Sequence, residues 1–334
     1  MKTLILSHFK PYPPNHGATR RIWNIALNKA KNGEEVVIVH NSLNGPNKRI
    51  IKRIKGITVV QIPLPLGIMR KKHFLFQNNP YMILELIKNR DTDIIQFEFP
   101  YLLPIALFTR LFKKKVVYSA HGIEYEWQKD LYNRNWFWLW TTKLLEKSAL
   151  KIADETICCS DRDKQKLQEL YKINPEKIKV VESTVDMESV KKAKPYKFKK
   201  KTVLFIGSQL HPANKEALEK IYYEIMPKVL EKRKDVQFCF IGKNPPEWLK
   251  GPNILVIPEV YDGNVFPYIK GADLCISPIF KGSGVRIKIL EYLACNKPVI
   301  TTRKGIEGIK ERKNVIIKDS IEKFSKNIIK IIAE

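Results

Sequence analysis

Two doubly wound α/β domains, facing one another across an interdomain cleft, are what this 334-residue sequence predicts. Short apolar runs rich in Val, Ile and Leu alternate with longer stretches of helical period. That order builds parallel sheets covered on both faces. The alternation halts at "KKAKPYKFKKK" (191–201), which is charged and has no apolar period, and then restarts. The expected division is a first domain over 1–190, a linker over 191–201 and a second domain over 202–334.

In the first half, "TLILS" (3–7) is a short buried strand. The loop "HFKPYPPNHGA" leads into a helix from about Thr19 to Lys31, stopped by Asn32-Gly33, and "EEVVIVH" is the next strand. "DIIQFEF" (93–99), "KVVYSAH" (115–121) and "ETICCS" (155–160) follow as strands. The helices between them include "WFWLWTTKLLEKSALKIAD" (136–154). The second half runs strand "TVLFIGS", helix "NKEALEKIYYEIMPKVLEK", strands "VQFCFIG", "NILVIPE" and "DLCISPI", helix "VRIKILEYLAC" and strand "PVITT". Ligands in such sheets bind beyond the carboxyl ends of the strands.

Hydrophobic residues make up 44 % and aromatics 10 %, which excludes a disordered chain. Lys and Arg outnumber Asp and Glu by 60 to 34, a net charge of +26. That balance attracts nucleic acid, anionic membrane or phosphorylated substrates; the alternative is a Lys-rich solvated surface. Cys158, Cys159, Cys239, Cys275 and Cys295 form no C-x-x-C pair and mostly sit in apolar runs, as reduced core thiols of a cytoplasmic protein would. The first ten residues hold a four-residue apolar run, too short for a signal peptide. No apolar run reaches the length of about 18 residues that a membrane-spanning helix needs.

The chemistry concentrates at "KGSGVRIKILEYLAC" (281–295). It follows the buried strand "DLCISPIF", and its helix is expected to begin near Gly284 or Val285. A helix start offers free N–H groups and partial positive charge to a phosphate, and glycines allow close approach. Arg286 and Lys288 can add charge-assisted hydrogen bonds. Gly284, Lys288 and Glu291 are expected on nearly one helix face, with Glu291 roughly 10 Å along the axis from Gly284. That separation suits a nucleoside diphosphate, with phosphates at the glycines and ribose hydroxyls at Glu291. An exposed basic helix start with an i,i+3 Lys288–Glu291 pair is the competing reading.

"FKGSGVRIKILEYLACNKPVITT" resembles the donor-binding segment of retaining glycosyltransferase family 4, whose fold is GT-B, two facing Rossmann-like domains. "FKPYPPNHGATRRIWNIALNKAKNGEEVVIV" is similar to that family's N-terminal glycine loop and first helix, and "YSAHGIEYE" to its acceptor-side strand end. "ADETICCSDRDKQKL" and "VLFIGSQLHPANKEAL" resemble the segment before its interdomain region and the start of its second domain. The resemblance covers most of the chain. It implies transfer of a hexose-type sugar, with retention, from a nucleotide-diphosphate sugar to a glycan or lipid-linked acceptor. No metal and no cofactor are implied; the nucleotide sugar is a co-substrate.

On that resemblance, His121, Arg286 and Glu291 are the expected catalytic residues. Gly17, Gly207, Ser208, Gly282, Ser283, Gly284, Lys288 and Glu291 are expected to bind the donor. Three departures stand out. Ser283 occupies a position where many members carry a first glutamate, which fits a subfamily with a GSG-x-R-x-K loop. "SQLHPANK" (208–215) replaces a basic Arg…Lys-Gly signature. The chain ends soon after "DSIEKFSKNIIKIIAE", whereas one or two closing helices are expected in this fold, so a shortened chain is expected.

Arg20 or Arg21 is a further candidate phosphate ligand, or both decorate the surface. Glu98 is a candidate acceptor contact. Glu124 or Glu126 is a candidate to orient His121, or part of a solvated helix start. Gly305 and Glu307 leave the last strand toward the same site. "NRNWFWLW" (133–140) and "YLLPIALFTRLFKKK" (101–115) read either as helices packed on the sheet or as contacts with an anionic membrane surface, which would place the protein on the inner face of the membrane. The alternatives to glycosyl transfer are a nucleotide-sugar epimerase or hydrolase of the same fold, or a basic nucleic-acid-binding protein. No nucleic-acid motif supports the last, so no specific nucleic-acid partner is expected.

Overall fold

A computed structural model describes residues 1–41, 47–64, 79–132, 134–209, 211–258, 260, 264–310 and 312–333. Asn133, Leu210, Glu259 and Glu334, which fall within stretches quoted above, lie outside these. The chain divides into two compact units: Met1–Lys129 with Asn133–Ser183, and Asp130–Tyr132 with Thr184–Glu334.

The first unit is built on an eight-stranded sheet of order β3-β4-β2-β1-β5-β6-β7-β8. Its strands are β1 (Lys2–Ser7), β2 (Glu35–Asn41), β3 (Ile50–Ile54), β4 (Ile57–Ile62), β5 (Ile94–Glu98), β6 (Lys115–Ser119), β7 (Glu155–Cys158) and β8 (Ile178–Val180). All pair in parallel except β3, which runs antiparallel to β4. The sequence reading missed this hairpin, although its turn is legible. Lys55 and Gly56 have φ of 50° and 83°, the two consecutive left-handed residues of a two-residue hairpin loop. Edge strand β3 carries exposed Lys52 and Arg53, which discourage pairing with another chain.

Helix α1 (Gly17–Lys31) buries Ile22, Trp23, Ala26 and Leu27, a stripe at helical spacing, against one face of the sheet. Helices α2 (Tyr81–Lys88), α3 (Leu103–Thr109), α5 (Trp136–Ile152) and α6 (Asp161–Tyr171) contribute to a second core cluster containing Leu4, Phe97 and Tyr118. Helix α4 (Glu124–Tyr132) follows β6.

The second unit has a six-stranded sheet of order β11-β10-β9-β12-β13-β14, and all its pairings are parallel. Its strands are β9 (Lys201–Ile206), β10 (Val236–Ile241), β11 (Ile254–Ile257), β12 (Leu274–Ser277), β13 (Val299–Thr301) and β14 (Val315–Ile317). Helices α7 (Met187–Lys192), α8 (Pro212–Lys220), α9 (Met226–Lys232), α10 (Phe266–Gly271), α11 (Ile287–Ala294) and α12 (Ile321–Ala333) accompany it. The helix expected over 214–232 is interrupted. A π-helical turn spans Ile221–Ile225, two residues short of Pro227, whose ring nitrogen cannot donate to the preceding turn. Two core clusters, one containing Phe205 and Phe238 and one containing Leu204 and Tyr292, form around this sheet. The expected class, two doubly wound α/β domains, is met.

Candidate active site

In the second unit the strand order reverses between β9 and β12, which are neighbours in the sheet. Loops leaving adjacent strands at such a point diverge and open a crevice at their carboxyl ends. Gly207 and Ser208 follow β9, and the 281–284 loop follows β12. Gly282 and Gly284 have φ of 97° and 82°, the left-handed region that a side chain disfavours. The Arg286 guanidinium gathers this loop. Its Nη1 donates to the carbonyls of Ser283 and Gly284, each at 2.6 Å, and its Nη2 to that of Lys281 at 3.2 Å.

The single helix face expected for Gly284, Lys288 and Glu291 is corrected in one respect. Helix α11 starts at Ile287 with Arg286 as its N-cap, so Gly284 precedes the helix. The two positive-φ glycines explain this, because their backbone cannot continue into a right-handed turn. Lys288 and Glu291, three apart, both lie on this helix, and Glu291 is buried, 4 % exposed, beside Ile287, Ile289, Tyr292 and Leu293, which overturns the competing reading of an exposed Lys288–Glu291 pair.

Lys288 donates from Nζ to Asn214 Oδ1 at 2.7 Å, and lies 4.4 Å from the centroid of the Phe205 ring. Burial, reinforced by the charge of Arg286 and opposed by that of Glu291, lowers its pKa to about 7. Asn214 also donates to the Ser208 carbonyl at 3.1 Å. A Cβ on Gly207 would stand 2.7 Å from Asn214 Cγ, and one on Gly242 would stand 2.1 Å from the Gly207 carbonyl oxygen. Glycine at both positions therefore lets the β9 exit close on Asn214, which in turn holds Lys288. Tyr292 ties the helix to the same place, its hydroxyl accepting from the Ile206 N–H at 2.9 Å. Gly305 is packed equally tightly, since a Cβ there would meet Thr301 Oγ1 at 2.1 Å. Glu307 forms an ion pair with Lys304 at 3.0 Å.

In the first unit the order reverses between β1 and β5. Gly17 opens α1 beyond β1, and Glu98 is the last residue of β5. His121 lies two residues past β6. Glu98 is fully buried, and its Oε2 is 2.6 Å from His121 Nε2. Gln96 donates to the other carboxylate oxygen at 2.5 Å. Burial lowers the His121 pKa, while hydrogen bonding to Glu98 opposes that shift. In the neutral ring Nε2–H donates to the carboxylate, which leaves Nδ1 as an acceptor. Phe99 caps this pair. Its φ is 72°, strained for a bulky residue, and its ring stacks on His121 with centroids 4.3 Å apart and planes at 10°.

Arg21 does not decorate the surface. It is 2 % exposed and donates to the Val181 carbonyl at 2.8 Å and to Ser183 Oγ at 3.0 Å, tying α1 to the chain beyond β8. Arg20 is half-buried. Glu124 belongs to a buried polar network rather than a solvated helix start. Tyr101 donates to it at 2.6 Å, and burial raises its pKa. Its own N–H and that of Tyr125 donate to the carboxylate of Glu146, at 2.8 and 3.1 Å, so Glu146 caps the first turn of α4. Glu146 also accepts from Tyr171 at 2.5 Å, and burial raises its pKa to about 7. Glu126 pairs with Lys166.

Two units of this kind, each with its candidate residues at a strand-order reversal, agree with the family comparison. Residues 15–189, more than half of the chain, match the model of Glycosyltransferase Family 4. The chain belongs to that family. Residues 200–334 match the model Glycosyl transferases group 1. An uncharacterized 44.6 kDa protein in the cps region of Klebsiella pneumoniae is 22 % identical to this family member over 366 residues, covering 98 % of this chain and 90 % of that protein. Sucrose-phosphate synthase from Thermosynechococcus elongatus superposes with a TM-score of 0.76 at 15 % identity, over 100 % of this chain and 90 % of that one. WaaG, a glycosyltransferase involved in lipopolysaccharide biosynthesis, gives 0.71 at 16 % identity, over 99 % and 90 %. Anabaena HepE in complex with UDP and glucose gives 0.67 at 14 % identity, over 100 % and 90 %. The fold is GT-B.

Within this family 4 chain, three supporting residues escaped the sequence reading. Asn214 sits in the stretch noted only for lacking a basic signature, yet it supplies the partner that Lys288 holds. Phe99 was assigned to the strand that in fact ends one residue earlier. Glu146 lies in a helix otherwise apolar and basic; a lone acid on its buried face was the available signal.

Proposed function

We propose that this protein transfers a sugar from a nucleoside-diphosphate sugar to a glycan or lipid-linked acceptor, with retention and without a metal. The donor diphosphate binds the second unit at Gly282, Ser283 and Gly284 and beside Gly207 and Ser208. Arg286 shapes the loop, and Lys288 places its positive charge on the departing diphosphate. Glu291 accepts from the ribose. The observation that carries this reading is the convergence of the two glycine loops, Lys288 and Arg286 on the β9/β12 reversal. HepE, a structure of the same fold, was captured with UDP and glucose.

The remaining assignments follow from the chemistry of the transfer. The bond between the anomeric carbon and the diphosphate oxygen breaks, and negative charge grows on the leaving group. A fixed cation that is poorly solvated beforehand stabilises that charge strongly. The acceptor hydroxyl adds to the same face, and its proton passes to the departing phosphate oxygen. On the first unit, His121 held by Glu98 is assigned to hydrogen-bond a sugar hydroxyl, and Gly17, without a side chain, keeps the start of α1 open to a ligand. The assignment of a hexose rests on the family resemblance.

A thermal-shift screen of nucleotide sugars at moderate salt tests the function. A selective donor raises the melting temperature by linkage. No stabilisation by any nucleotide sugar would remove the proposal. Glu291→Ala is expected to weaken donor binding in calorimetry, and an unchanged dissociation constant would withdraw its role. Product analysis with donor alone separates transfer from epimerisation or hydrolysis.

A further inference from the structure

Exposed large hydrophobic side chains are not scattered over this molecule. Among the described residues, eleven of seventeen lie on three helices of the first unit: α2, α3 with the turn Arg110–Phe112 that continues it, and α5. These helices are neighbours. Helix α3 packs against both α2 and α5, and all three send their buried residues into one core cluster. The exposed apolar groups therefore cover one side of one sheet. Isolated exposed hydrophobics need no explanation, but a contiguous patch does.

Helix α5 shows the pattern most clearly. Trp136, Trp140 and Leu144 follow one another at a spacing of four and so line one face, with Phe137 beside them. Trp136 is 77 % exposed and Trp140 56 %. Lys143, Lys147 and Lys151 occupy the same side of the helix and are exposed. The other side buries Thr142, Glu146, Ala149 and Leu150 and leaves Trp138 exposed in the first turn. On the neighbouring turn, Leu111 is 76 % exposed between exposed Arg110 and Lys113. The acids of these helices are Glu85 on α2 and Glu146 on α5, both buried. The exposed surface of all three thus combines aromatic and aliphatic groups with cations and carries no carboxylate of its own; Asp154, just beyond α5, pairs with Arg110 at 2.8 Å.

We propose that this face docks on the surface of an anionic lipid bilayer. Trp136, Phe137, Trp140 and Leu111 enter the boundary between headgroups and acyl chains, where amphipathic aromatic rings are favoured. The lysines meet the anionic headgroups. A second copy of the chain is a poor occupant, because each copy carries a charge of +26 and the two cationic faces would oppose each other. The inference is independent of donor binding, since none of the residues assigned to the donor lies on these three helices.

Sedimentation of the full chain with phosphatidylcholine vesicles, plain or mixed with phosphatidylglycerol, tests it. Retention is expected on the mixed vesicles alone, weakening as salt rises, with a blue shift of tryptophan emission. The triple variant Lys143→Gln/Lys147→Gln/Lys151→Gln should lose on the order of 100-fold in partitioning. Trp136→Ser/Trp140→Ser should lose at least about tenfold, together with most of the blue shift. Leu111→Ser, on a different helix, should weaken retention by a smaller factor. Circular dichroism and donor-induced melting shifts of the variants, measured without vesicles, should match the parent, so a failed donor reading and a failed docking reading stay distinguishable. Absence of retention on both vesicle types, equal retention on both, or variants that bind like the parent would each overturn the proposal. So would a concentration-dependent dimer in lipid-free buffer that the tryptophan variant abolishes, since that would make the face a contact between copies.

Discussion

The two units build their candidate sites on the same scaffold feature and fill them with opposite chemistry. At the β1/β5 reversal of the first unit the buried groups are carboxylates: Glu98 against His121, with Glu124 and Glu146 behind. At the β9/β12 reversal of the second, the strand-exit loops gather half-buried cations, Arg286 folded into its own loop and Lys288 held by a neutral amide, with the buried carboxylate of Glu291 one turn beyond. The difference teaches how one fold divides a transfer reaction. A carboxylate-backed imidazole suits hydroxyl groups and protons. A partly desolvated lysine with a lowered pKa suits a diphosphate, because it gains most when an anion arrives.

The strongest way to break this comparison is at His121. His121→Ala is expected to lower turnover by about 100-fold or more while leaving the donor dissociation constant nearly unchanged. A variant that loses donor affinity instead would move the histidine to the diphosphate side. Lys288→Ala should do the opposite. It should raise the donor dissociation constant by roughly 10- to 100-fold, the range of a lost charge-assisted hydrogen bond.

The pH dependence of donor binding sharpens the contrast. With its pKa near 7 in the free protein, Lys288 is charged below that pH and neutral above it. An anionic ligand favours the charged form, so binding above pH 7 must take up a proton. Affinity should therefore be level below about pH 7 and fall by up to about tenfold per unit above it. Calorimetry in buffers of different ionisation enthalpy would detect the proton uptake. Lys288→Arg should abolish the slope, because arginine stays charged.

The last expected effect concerns stability rather than binding or turnover. Glu146 has its folded pKa raised from 4.5 to about 7 by burial. The stabilisation it contributes is present below about pH 4.5 and is lost as pH rises through 7, with a span on the order of 3 kcal/mol. Urea melts of the parent and of Glu146→Gln across that range should differ in slope, the variant being flatter. Parallel slopes would show that Glu146 stays ionised throughout.

Much of this could be read from the residues alone. Alternation of β-branched runs with amphipathic stretches determined the α/β class, since each period matches one way of burying one face. The spacing "GSG" before Arg286 and Lys288 marked the loop to which donor binding is assigned, because glycines between a strand and a helix let a phosphate approach the backbone. What remained hidden was decided by contacts between distant segments. Nothing near Lys288 in sequence announces Asn214, 74 positions away, and nothing near Glu124 announces the cap from Glu146. The true start of α11 depended on two backbone angles, and the burial of Glu291 on the sheet beneath it. Local period and turn chemistry act over a few residues and are written in order along the chain. Partner choice, desolvation and which face of a helix stays bare depend on what the rest of the chain brings alongside, and only the tertiary structure decides that.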